Sequence, residues 1–360
     1  MNSYSKFGGF SIILLFSFFI LNLPVYSQED IGPLPEVPIP ADNPQTKAKI
    51  ELGKLLYFDP RLSGDGNTSC ARCHDPKLGF SNGEELSFGY TSTKHWRHSP
   101  TIINGAYNAS FFWDGRAGSL EEQALGPIEA AIEMNQNLVM LEEELRQVPD
   151  YVRMFKYVFG TEVTAENIAK AIAAFERTII STNSPFDKYM EGDKNALSDK
   201  AKKGLELFKG KAQCIECHNG PNFADAVFHN TGIPETKTLQ TDSGCITARY
   251  FFGRGVEVEK LDRDYGRYLI TKKESDRGKF KTPTLRDIAN TSPYMHNGFF
   301  YELEEVVDFY NKGGGDDPNK DKLLKPLCLT GEEEAALVEF LKSLTGEKIV
   351  VETPVIPLRR

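Results

Sequence analysis

From Ala48 onward the apolar residues fall at helical spacing, with Leu52, Leu55 and Leu56 on one face before the stretch FDPRLSGDGNTS loops out. The same layout returns far down the chain. Ser198 stands where it can cap a helix through DKAKKGLELFKG, Leu205 and Phe208 face inward, and Gly210 ends the run. Each helix leads through a short loop into a Cys-x-x-Cys-His pentapeptide, CARCH at Cys70–His74 and CIECH at Cys214–His218. That weak internal repeat predicts two related modules. Between them, ENIAKAIAAFERTIIS sets Ile168, Ala171, Ile172, Phe175 and Ile179 on one stripe, which reads as a core helix. STNSPFDKYMEGDKNALS marks a boundary, and Thr330 with Glu333 forms a capping box for a last helix, TGEEEAALVEFLKSLTG. Strand patterns are scarce, so the expected class is mainly α. The expected units are 46–195 and 196–346, after a Pro-rich extended leader at 28–45 outside the core and before a peripheral tail at 347–360.

The 360 residues carry 42 basic against 51 acidic side chains, a net charge of −9, and 40% of them are apolar. This length suffices for one large domain or two ordinary ones. The acidic balance argues against nucleic acid as a partner and for a soluble surface that could meet basic proteins. The first stretch, with Lys6, a long apolar run, Pro24 and small Ser27, reads as a signal peptide at 1–27. An uncleaved membrane anchor is the alternative. Either reading exports the rest of the chain to the periplasm or an equivalent compartment. Of six cysteines, four belong to the pentapeptides; Cys245 and Cys328 could pair in an oxidising compartment or stay free thiols.

A c-type haem needs two thiols to add across its vinyl groups and a histidine that reaches the iron from one side. Cys-x-x-Cys-His supplies all three within about one helical turn. A zinc site would need the two Cys pairs brought together, for which the sequence gives no local reason. Dithiol redox chemistry leaves the histidine after each motif unexplained. Two covalent haems, on Cys70, Cys73 and Cys214, Cys217 with His74 and His218 as proximal ligands, follow. What fills the far side of each iron then decides between activating an oxidant and carrying electrons.

At this point the chain resembles a known family. FFWDGRAGSLEEQALGPIEAAIEMN (Phe111 to Asn135), both pentapeptides, KTPTLRDIANTSPYMHNG (Lys281 to Gly298) and LEEVVDFYNKGGG are similar to the bacterial di-haem cytochrome c peroxidases and MauG proteins. The resemblance runs from about Leu52 to Gly346. It implies two cytochrome c-like haem domains packed together, the N-terminal haem peroxidatic and the C-terminal one storing and relaying electrons. It implies that Trp113 lies between the haems, that Glu133 is the acid/base carboxylate over the peroxidatic iron, and that Gln123 and Pro127 line the same pocket. A carboxylate there can carry a proton from the peroxide oxygen that binds to the one that leaves. In an apolar pocket its pKa is expected to be raised.

Two departures from the typical peroxidase pattern stand out. The distal histidine expected ahead of RHSPT falls near Tyr90, and His95 could substitute only through a rearranged loop; an open or water-bound N-terminal haem is expected. The methionine ligand expected at the second haem falls near Tyr310, which matches the MauG tyrosine, with Met295 as the rival. The resemblance also implies an interdomain calcium at Thr291 and the carbonyl of Pro293, but His98 stands where an asparagine is expected, and imidazole suits a hard cation poorly.

The leading expectation is a peroxidase that reduces hydrogen peroxide to water with electrons from a small cytochrome c or cupredoxin. A MauG-like oxidation of Trp or Tyr side chains on a partner protein is the second, and a non-catalytic di-haem electron carrier the third. A homodimer is a further state that the resemblance leaves open.

Overall fold

Two pairs of helices, built alike, carry the two pentapeptides. A computed structural model describes residues 31–90 and 93–359, so the expected signal segment lies outside the described residues. In the first pair, helix Lys47–Phe58 packs on helix Ala165–Glu176, burying Leu52 and Leu56 against Ile168, Ala171 and Ile172. In the second, Asp199–Lys209 packs on Gly331–Lys342, burying Leu205 and Phe208 against Leu337 and Phe340. Ser198, Gly210 and the Thr330–Glu333 capping box end these helices where the sequence places them.

Both crossings depend on one glycine. A Cβ on Gly53 would stand 1.8 Å from the Ala171 carbonyl oxygen, and one on Gly204 would stand 2.0 Å from that of Ala336. In each pair a phenylalanine Cβ, of Phe175 or Phe340, also stands within 3.0 Å. The repeat legible in the sequence is therefore a repeat of backbone-on-backbone packing, which only glycine permits at this separation. Around the second pair, Phe186, Phe208, Phe223 and Phe340 pack ring on ring. Among the described residues the only sheet is two-stranded, Phe228–His229 antiparallel to Phe280–Lys281, and no helix is long and apolar enough to cross a membrane.

The two ends of the chain are more involved than their composition suggests. The Pro-rich leader is extended, but Ile31 is buried in the core formed by residues 186–344. The buried Arg286 guanidinium donates to the Gly32 carbonyl at 2.7 Å, and Tyr107 donates to the Pro35 carbonyl at 2.6 Å. The tail crosses to the other core, where Ile349 and Val351 pack beside Tyr57 and Phe80 and Arg61 donates to the Pro357 carbonyl at 2.8 Å. The leader, expected outside the core, thus sends one residue into it, while the tail stays largely exposed, as at Val350, Val355 and Leu358. Proline removes backbone donors but leaves carbonyls, and these are what the buried and half-buried side chains use.

One ion cluster ties distant parts of the chain. Arg97, 4% exposed, donates to Asp114 at 2.6 Å and to Asp264 at 2.6 and 2.9 Å. Burial pushes both carboxyls up, but the Arg97 charge and its hydrogen bonds outweigh that and hold both below the usual value.

Gly204→Ala and Gly53→Ala are each expected to lower the thermal midpoint, with a loss of roughly 1–3 kcal/mol from overpacking, read by calorimetry. Asp264→Asn removes one partner of a buried charge and should cost roughly 3–5 kcal/mol near neutral pH. Because the folded pKa of Asp264 is depressed, its contribution is present above its unfolded value and lost as pH falls through the folded one. The stability gap between wild type and Asp264→Asn should accordingly shrink below about pH 4 in denaturant titrations.

Candidate functional site

The pentapeptides fold alike. Cys70–Cys73 forms one helical turn and Cys214–Glu216 a 3-10 turn, and the amides of His74 and His218 donate to the carbonyls of Cys70 at 3.0 Å and Cys214 at 2.9 Å. The His74 Nδ1 lies 3.2 Å from the Phe80 carbonyl, and the His218 Nδ1 lies 3.0 Å from that of Phe223. Phe80 and Phe223 both have left-handed backbones, at φ 56° and 53°. A ring whose Nδ1–H is donated to a carbonyl keeps its Nε2 lone pair for a metal. Burial pushes both imidazoles down, toward the neutral form that ligates. Tyr57 holds the first motif from behind by donating its hydroxyl to the His74 carbonyl.

Both motifs open onto one continuous cavity of about 450 Å³ between the helix pairs. Its wall is largely apolar, with Ile172, Leu303 and Leu337 among the lining side chains. Neutral imidazoles, paired thiols and an apolar slot are a donor set and a shape that fit a haem beside each motif.

On the side of the first motif, helix Leu120–Glu129 brings Gln123 and Pro127 to the cavity. Pro127 inside this helix leaves the Gln123 carbonyl without its usual donor. The chain then turns through residues 130–134, the Glu133 amide donating to the Ala130 carbonyl, and presents the Glu133 carboxyl to the cavity. Tyr90, at the place of the missing distal histidine, is not on the cavity wall, but His95 is. His95 follows the Phe88–Lys94 bridge, and its Nε2 lies 3.3 Å from Glu133 Oε1. Gly89 permits this, since a Cβ there would meet the Ile132 carbonyl oxygen at 1.8 Å.

The expected rise in the Glu133 pKa does not occur. Burial pushes the carboxyl up, but the hydrogen bond from His95 and the charge of Arg116 prevail and hold it below the usual carboxylate value. Glu176, also on this wall, goes the other way: burial pushes it up to about 8. Sequence reasoning missed Glu176, Arg116 and the proximity of His95, because none carries a local signal beyond its residue type.

Trp113 lines the cavity, its Nε1–H donating to the His98 carbonyl at 2.9 Å and its ring edge-on to His296 at 6.4 Å. His296 in turn stacks on Phe280 at 3.6 Å. On the side of the second motif, helix Leu303–Asn311 points Tyr310 into the cavity, and Met295 reaches the same cavity from a left-handed turn at φ 72°. Burial pushes the Tyr310 hydroxyl up, and Cys217 and Cys214 of the second motif are the other groups close enough to act on it. His229, unremarked in the sequence, sits between Asp225 at 2.8 Å and Asp321 at 2.6 Å. Hydrogen bonds to Asp225, then to Cys217 and Asp321, push its imidazole up to about 11, so it is a cation at neutral pH. Lys281 is half-buried nearby, and desolvation pushes its ammonium down to about 8 against the opposing pull of Asp225.

Thr291 and Pro293 reach the cavity wall, but they do not build a persuasive calcium site. The Thr291 hydroxyl donates to the Ile288 carbonyl at 3.2 Å. The His98 ring spends one nitrogen on the Glu84 carbonyl at 2.9 Å and meets Ser81 Oγ with the other at 3.3 Å. A hard cation wants several oxygens, and this donor set fits it poorly. Cys245 is buried, its thiol donating to the His95 carbonyl at 3.4 Å, whereas Cys328 is exposed; the two are unpaired.

The sequence pattern of di-haem cytochrome c peroxidases matches residues 47–195. A protein named cytochrome-c peroxidase IdrP1, from Pseudomonas sp. (strain SCT), is 46% identical over 336 residues, 91% of this chain and 89% of its own. The methylamine utilization protein MauG of Methylorubrum extorquens is 38% identical over 340 residues, 92% of this chain and 90% of its own. Among solved structures, a MauG-like protein associated with microbial copper homeostasis superposes with a TM-score of 0.74 at 31% identity, covering 91% of this chain and 95% of that one. With two pentapeptides folded alike around one cavity and this similarity along nearly the whole length, the chain belongs to the di-haem cytochrome c peroxidase and MauG family.

Proposed function

We propose that the protein is a di-haem c-type peroxidase that reduces hydrogen peroxide to water outside the cytoplasm, drawing electrons from a small redox protein such as a cytochrome c or cupredoxin. The observation that carries this reading is the Glu133 carboxyl, held on the cavity wall on the side of the first pentapeptide with its pKa depressed. In this reading residues 46–195 bind the peroxidatic haem through Cys70, Cys73 and His74, and residues 196–346 bind the second through Cys214, Cys217 and His218. The bound haems supply the redox chemistry. The acidic net charge of −9 suits a basic electron donor.

The side chains account for the protons. One hydrogen peroxide takes up two protons and two electrons to become two waters. Glu133, ionised at neutral pH, accepts the proton of the peroxide oxygen that binds and returns it to the oxygen that leaves. Gln123 and Pro127 shape the space around it, and Trp113 joins the two halves of the cavity. His229 and Lys281 are the cations beside the second motif, where the carboxylates of a haem would find partners. No step passes through calcium.

Tyr310 supports a second reading. If it is the far ligand of the second iron, as its place beside Cys214 and Cys217 suggests, an anionic oxygen would favour the oxidised metal and a MauG-like oxidation of Trp or Tyr on a partner protein.

Glu133→Gln should lower steady-state peroxide reduction by about a hundredfold or more while haem content is retained; unchanged turnover would refute the peroxidase reading. Tyr310→Phe should alter the absorption and electron paramagnetic resonance of the second haem alone, and Met295→Leu should leave both spectra as they are. The reverse pattern makes Met295 the ligand.

A further inference from the structure

We infer that His95 is a positioning residue for Glu133: its imidazole, locked in one tautomer, donates a hydrogen bond that aims the carboxylate at the peroxide-binding side of the first haem. This deepens the peroxidase reading of Glu133 and rests on it.

The tautomer follows from the contacts. The Arg97 backbone N–H donates to His95 Nδ1 at 3.0 Å, so Nδ1 is an acceptor and the neutral ring carries its proton on Nε2. That nitrogen faces Glu133 Oε1 at 3.3 Å. A donor pointing at the carboxylate stabilises the ionised form and fixes which oxygen remains free.

The ring cannot easily turn away. The His95 amide donates to the Ser87 carbonyl at 2.7 Å, and its carbonyl accepts from the Cys245 thiol at 3.4 Å. Two residues on, Arg97 is pinned by Asp114 and Asp264. Trp96 between them is buried against Phe252, with the Arg97 guanidinium 4.4 Å from its ring centroid. These contacts fix the backbone on both sides of the imidazole, and the Arg97 amide holds the ring itself.

The other charged or titratable groups that act on Glu133 are Arg116, His74 and Cys73. Arg116 is turned to Asp114 at 3.0 Å and lies over the Phe112 ring. His74 and Cys73 are committed to the cofactor in this reading. Among the described residues His95 is therefore the neighbour whose ring nitrogen comes within 3.3 Å of the carboxylate, and no other contact of that nitrogen competes. Its orientation also answers the question left by Tyr90, since the histidine on this wall addresses the acid/base carboxylate.

The test uses the full haem-loaded protein and four variants. In the ferric protein without peroxide, the infrared carboxyl band of Glu133 is identified by its loss in Glu133→Gln and followed against pH. His95→Leu should make that band titrate at least about one unit higher and move the acid limb of kcat/KM for peroxide upward equally, a loss of about tenfold on that limb. His95→Gln, which can still donate from the same place, should restore both to near wild type. Should His95→Leu fail to fold, His95→Asn, too short to reach, takes its place.

Three outcomes overturn the inference: an unmoved band and limb in His95→Leu or His95→Asn, a His95→Gln protein as impaired as these, or conversion of the first haem from low spin to high spin on losing His95, which would make His95 an iron ligand. Full peroxidase turnover in Glu133→Gln would instead overturn the underlying reading, whatever His95 does.

Discussion

A guanidinium can be buried only where enough acceptors meet it, and at Arg97 those acceptors come from two distant parts of the chain, Asp114 and Asp264. Much of the cavity wall is set by that requirement. Asp114 belongs to the FWDGR stretch, so satisfying Arg97 also places Trp113 and Arg116. The Arg97 amide fixes the His95 ring, and the neighbouring His98 carbonyl receives the Trp113 indole. Moving Arg97 would shift the proposed proton-handling side and the wall between the two motifs together.

The two halves began from one plan. Each uses a glycine to let two helices touch backbone to backbone, and each turns its pentapeptide histidine with a carbonyl from a left-handed phenylalanine. The plan yields two neutral imidazoles facing a common space. What separates their chemistry is added from outside the repeat: a turn carrying Glu133 and a loop carrying His95 on one side, a helix carrying Tyr310 and the cations His229 and Lys281 on the other. Sharing a scaffold while varying the walls would let one fold hold the acid/base site and the electron-relay site proposed above.

The helices and their caps were legible because they are local: Ser198, Gly210, Thr330 and the apolar stripes act within a turn or two. The few core contacts of the leader and tail were not legible. Their proline content correctly signals extended backbone, but whether an extended segment is packed depends on partners such as Arg286 and Tyr107, far away in sequence. The Glu133 pKa was misjudged for the same reason. An apolar neighbourhood can be guessed from the surrounding residues, whereas a single donor brought in from residue 95 reverses its effect, since one charge-assisted hydrogen bond can outweigh the desolvation of a partly open carboxyl.

By itself the sequence determined the class, the two Cys-x-x-Cys-His motifs and the family resemblance, because such a motif and helical periodicity are short-range properties written in consecutive residues. Only the tertiary structure decided that both motifs share one cavity, that Tyr90 stands off its wall while His95 reaches it, and that Glu133 is held ionised. Those facts depend on contacts between residues tens or hundreds of positions apart, where a shift of an ångström changes which atoms meet and no local pattern records the result.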